Sequence, residues 1–116
     1  MLVYPLVVFA IAALLGLTLA GVWVLRGKLA PWPLSLLHAI LGALGLGLLL
    51  YFALTMKLAG AALAALLVLV IAALGGLYLA SIHLQKKSPG RPVVFVHAGV
   101  AVIGFLMLLG ATLNLI

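Results

Sequence analysis

Four apolar runs of about twenty residues make up this chain, and its charges fall only between them. A run of that length crosses the hydrocarbon of a bilayer as a helix, because every backbone polar group must be satisfied within the segment. Asp and Glu are absent, and 5% of residues are charged against about 25% in a soluble domain. Too little polar surface remains to cover a water-soluble fold. The pattern predicts an all-α protein, a four-transmembrane-helix up-down bundle. Cysteine is also absent, which excludes disulfides, thiolate metal sites and Cys nucleophiles.

The punctuation sets the boundaries. Span one runs from about Val3 to Leu25 and ends at Arg26-Gly-Lys28-Leu-Ala-Pro31-Trp32-Pro33. Span two runs from Pro33 to Thr55, with Met56-Lys57-Leu58 as a tight connection. Span three runs from Ala59 to Leu84, followed by Gln85-Lys-Lys-Ser-Pro-Gly-Arg91, and span four from Pro92 to about Leu113. Pro33 and Pro92 suit a first helical turn, where a missing N–H costs nothing. The first run lacks a basic leader and is longer than a signal-peptide core, so it reads as a retained span.

The formal charge of +6 comes from Arg26, Lys28, Lys57, Lys86, Lys87 and Arg91. Only Lys57 lies in the second connection. The positive-inside bias therefore puts the first and third connections in the cytoplasm and both termini outside, as expected for a bacterial inner-membrane protein. The cations are few and sit at span ends, where they meet lipid headgroups; nucleic-acid binding is not expected.

The second half resembles the first. Ala12-Ala-Leu-Leu-Gly16-Leu-Thr-Leu-Ala20 matches Ala72-Ala-Leu-Gly-Gly76-Leu-Tyr-Leu-Ala80 at seven of nine positions. Pro33, His38, Ala39 and Gly45 then match Pro92, His97, Ala98 and Gly104. The expectation is a single bundle of two parallel two-helix repeats, residues 1–57 and 58–116, related by an axis along the membrane normal. Spans two and four would sit diagonally.

Each of His38 and His97 lies five residues after the proline that opens its span. A titratable side chain is costly within a bilayer and marks a functional site by default. The frame places both at one depth, roughly 8 Å in from the basic face at 1.5 Å per residue, so that they reach the bundle axis from opposite sides. Gly42 and Gly45 stand four and seven residues after His38, and Ala101 and Gly104 at the same offsets after His97. Such residues either let helices pack closely or leave room for a flat group. Gly16, Ala20, Gly76 and Ala80 could flank the same space. Paired imidazoles without Cys or carboxylate suit the iron of one haem b, with His38 and His97 as metal ligands. Zinc fits poorly, since its sites want three or four protein ligands. Arg91, beside the start of span four, is the best-placed cation for a haem propionate.

His83 reads as an interfacial residue, with hydrogen bonding to a propionate or a quinone headgroup as its other use. Tyr4, Trp23, Trp32, Tyr51 and Tyr78 read as belt or packing aromatics. Thr18, Ser35, Thr55 and Ser81 are expected to bond back to their own helices, and Asn114 to sit at the interface.

A four-helix membrane bundle with paired intramembrane histidines resembles the small b-type membrane cytochromes, including the cytochrome b561 family. The resemblance rests on His38, His97 and the topology, across most of the chain. That family usually carries two His pairs near opposite faces; here the outer half of every span lacks His. The resemblance thus implies one haem and no electron path across the membrane within this chain. A designed or simplified membrane cytochrome would share these features.

Two functions follow as expectations. The first is a one-haem electron carrier or redox subunit. The second is a structural or accessory subunit of a larger membrane complex, with the histidines as interhelical hydrogen bonds. A transporter is disfavoured by the lack of acidic residues and of interrupted spans. No nucleophile–base pair supports catalysis by the chain alone. Its partners would be the lipid bilayer, other membrane subunits or a quinone.

Overall fold

The computed structural model describes residues 1–116. It is all-helical: α1 (Val3–Arg26), α2 (Trp32–Met56), α3 (Gly60–Leu84) and α4 (Arg91–Thr112). All four helices are long and apolar enough to cross a membrane, and the protein is an integral membrane protein by length and composition. A 25-residue helix is about 37 Å long against a hydrocarbon core of about 30 Å. The spans read from the sequence agree with the helices to within a residue at each end.

The helix ends show why. Pro33 and Pro92 both occupy the second helical position, after Trp32 and Arg91. Gly27 ends α1 in the left-handed region (φ 64°), and its N–H bonds the Trp23 carbonyl. Lys57 adopts the same conformation (φ 52°) to end α2, which lets a three-residue connection reverse the chain. Thr18, Thr55 and Ser81 bond back to Leu14, Tyr51 and Tyr78. Ser35, expected to do likewise, makes no side-chain hydrogen bond.

The helices pack as a square. α1 lies beside α2 and α4, and α3 beside the same two; the diagonal pairs α1/α3 and α2/α4 are not in close backbone contact. The molecule measures 41 × 21 × 18 Å between Cα extremes.

Its interior is divided along its length. At the Lys57 end, Phe9, Leu49, Ala65, Leu66, Leu69 and Leu108 form one buried cluster. Leu49, Ala65 and Leu108 are wholly inaccessible. The same inward stripes continue toward the basic end as smaller or polar residues. On α1, Phe9 and Ala12 give way to Gly16, Ala20 and Trp23; on α3, Leu69 and Ala72 give way to Gly76, Ala80 and His83. The later members of both stripes are only half-buried, as are His38, Gly42, His97 and Ala101 on α2 and α4. The buried cluster thus lies toward the Lys57 end, and the inward positions toward the basic end are small or polar and half-buried.

Gly45 and Gly104 belong to the Lys57 end. A Cβ at Gly45 would meet the Phe9 ring at 2.9 Å, and one at Gly104 would meet Leu69 Cγ and Cδ2 at 2.8 Å. Close packing is thus what these two positions provide, and the clearance expected there is filled by Phe9 and Leu69. Because Leu69 is held in the core, Gly104→Ala should lower stability by about 1–3 kcal/mol, read as a lower melting temperature by circular dichroism in detergent.

Candidate functional site

α2 and α4 carry His38 and His97 at equal depth, each six residues after its helix begins. That is about 9 Å along the helix axis. Since α2 and α4 are diagonal, the two side chains meet across the interior. Their ring centroids are 6.3 Å apart and their planes are perpendicular.

Each ring is fixed from the neighbouring helix of its own hairpin. His38 Nδ1–H donates to the carbonyl of Ala12 on α1 at 2.8 Å. His97 Nδ1–H donates to the carbonyl of Ala72 on α3, also at 2.8 Å. A carbonyl can only accept, so Nδ1 carries the proton, and a neutral ring then holds its free lone pair on Nε2. Neither Nε2 has a hydrogen-bond partner in the protein. A backbone acceptor on one nitrogen is the usual outer-shell device for orienting a ligating imidazole.

The seats of the rings are glycines. A Cβ on Gly16 would stand 2.8 Å from His38 Cε1, and one on Gly76 would stand 3.0 Å from His97 Cε1. Gly75 also borders His97, at 3.6 Å from Nδ1. Helix α1 passes so close to the imidazole that only glycine leaves room, and α3 does the same on the other side. Gly42, by contrast, faces open space: a methyl group there would have nothing within 4 Å. Ala101 is half-buried on the His face of α4, and Arg91 is exposed at the α4 start.

The sequence gives no direct sign of Ala12 and Ala72 as acceptors, because the bonding group is a backbone carbonyl. It does place both at the head of the matched nine-residue stretch, four residues before Gly16 and Gly76.

His83 stands apart from the pair. Its ring packs edge-on against Trp32, with centroids 5.3 Å apart. The two line a cavity of about 390 Å³ with Leu29, Leu84 and Lys86. No third His, Cys or carboxylate joins His38 and His97. Tyr4, Tyr51 and Tyr78 are exposed on the outer surface. Trp23 differs from the other aromatics: its indole Nε1 is the one buried side-chain polar atom without a partner.

Comparison with protein-family models, with curated proteins and with solved structures returns no match.

Proposed function

We propose that this protein is a membrane b-type cytochrome or redox subunit that holds one haem b between His38 and His97 for electron transfer. The observation that carries the reading is the imidazole pair itself. The ring centroids are 6.3 Å apart. Both rings present an unpartnered Nε2 and anchor Nδ1 on a backbone carbonyl.

The residues present fit the group in three further respects. The donors are two imidazoles with no carboxylate or thiolate, as haem iron accepts. The residues against the rings are the glycines Gly16 and Gly76, and Gly42 and Ala101, four residues after each His, are small and half-buried. Arg91 and the other cations crowd the near face, where haem carboxylates would need them. Bound there, the group would supply one-electron oxidation and reduction, and His38 and His97 would hold and orient it within an apolar surround.

The reading carries the sequence repeat with it. The contact of His38 with Ala12 and Gly16 recurs as that of His97 with Ala72 and Gly76. Phe9 on Gly45 recurs as Leu69 on Gly104. Two halves, 1–57 and 58–116, related by an axis along the membrane normal, account for this. The charge bias puts the His pair toward the cytoplasmic side of a bacterial inner membrane, with both termini outside.

A second reading is an accessory subunit of a larger membrane complex without a cofactor. What favours it is that the two Nδ1–H bonds already tie α1 to α2 and α3 to α4, each worth about 0.6–2 kcal/mol in a membrane.

The visible spectrum decides. Protein purified after expression with a haem precursor should show a low-spin b-type spectrum that sharpens on dithionite reduction. A colourless protein overturns the cytochrome reading in favour of the accessory one.

A further inference from the structure

We infer that the indole N–H of Trp23 is a hydrogen-bond donor to a carboxylate arm of the bound cofactor, an inference that rests on the haem reading above.

Trp23 has an interfacial aromatic's sequence position but not its environment. Its Nε1 is buried and has no partner, the only such side-chain atom in the protein. A buried donor left unmet forfeits the hydrogen bond it made to water, so such groups are few and demand a reason. The chain has no carboxylate side chain with which to meet it. The carbonyl of Trp23 itself is taken by the N–H of Gly27. An indole can only donate, and no acceptor of the chain stands within hydrogen-bond distance of it; an acceptor of a bound group would meet it.

Register says where that acceptor lies. Trp23 follows Phe9, Ala12, Gly16 and Ala20 along the inward stripe of α1. It stands seven residues beyond Gly16, the seat of the His38 ring, or about 10 Å along the axis toward the basic end. This is the direction in which Arg26, Lys28, Lys86, Lys87 and Arg91 gather. A porphyrin centred between the histidines, with its carboxylate edge toward those cations, brings an anionic acceptor to this level. At the corresponding place on α3 stands His83, whose ring edge packs against Trp32; of the two, Trp23 has the unmet buried donor. The exposed cations would attract the carboxylates from water, while the buried indole would fix one arm in the dry interior, where a charge-assisted hydrogen bond is strongest.

The test compares haem b with its dimethyl ester, which lacks the charged arms. Both are titrated into the purified protein in detergent and followed by the Soret band. The wild type should bind haem b at least tenfold more tightly than the ester. Trp23→Phe should lose about tenfold in affinity for haem b, the effect of one hydrogen bond to a charged group, and less for the ester, whose carbonyl accepts only a weaker, neutral hydrogen bond. A packing defect would instead weaken both ligands equally, and that result overturns the inference, as does an unchanged haem b affinity. A wild type that develops no Soret band overturns the haem reading itself, whereas an intact band with unaltered discrimination in Trp23→Phe defeats only the role of Trp23.

Discussion

His38→Ala and His97→Ala should each abolish the low-spin b-type spectrum. Two imidazoles, one from each hairpin, are the only nitrogen ligands that meet in the interior. Removal of one would leave a single imidazole to hold the group and no neighbouring side chain to replace the other. Loss of an outer-shell partner alone commonly costs about 10–100-fold in metal affinity, so loss of the ligand itself should exceed that. Added imidazole should restore part of the low-spin spectrum in either variant, because each truncation vacates a ring-sized space over Gly16 or Gly76. Survival of the full spectrum in one variant would show that the clamp is not shared between the hairpins. The accessory reading predicts something different: no colour in any form, with each substitution lowering stability by about 0.6–2 kcal/mol through one lost interhelical bond.

Gly16→Leu should reduce haem affinity by about 5–150-fold with the helices intact, the equivalent of about 1–3 kcal/mol of overpacking. Even the first added carbon lies 2.8 Å from His38 Cε1, inside any real contact. The imidazole must then swing away, and its 2.8 Å bond to the Ala12 carbonyl is lost with it. Gly21→Leu is the matched control. It adds the same side chain to the same helix, but nothing lies within 4 Å of its Cβ position. Equal affinity in the two variants would show that the α1 surface does not position His38. Helix content by circular dichroism separates a displaced ring from a failed fold.

Much of the architecture was legible because lipid imposes a simple grammar. Each span must be a complete helix, and the prolines and cations at Pro33, Lys57, Arg91 and Pro92 mark where hydrocarbon ends. Short connections then force neighbours to be antiparallel, which makes α2 and α4 diagonal and brings His38 opposite His97. What stayed hidden has a physical cause as well. A backbone carbonyl has no residue-type signature, so Ala12 and Ala72 could not be recognised as acceptors. Small residues are ambiguous in sequence, since a glycine that admits a neighbour and a glycine that faces space look alike. Gly45 and Gly104 turned out to seat Phe9 and Leu69, Gly16 and Gly76 to seat the imidazoles, and Gly42 to face open space. Trp23 was hidden for a related reason: a tryptophan near a helix end ordinarily reads as an interfacial anchor, and only its buried Nε1 separates it from one.

The unequal filling of the interior bears on how such a protein is built. The sealed cluster of Phe9, Leu49, Leu66, Leu69 and Leu108 draws on all four helices. It holds their register at one end without help from any guest. Toward the other end the inward positions are small or polar, and a backbone-anchored imidazole ties each hairpin together. The fold's register is thereby set by apolar packing at one end and by hydrogen bonds at the other. Truncating the apolar cluster and truncating a histidine should therefore loosen opposite ends of the same bundle.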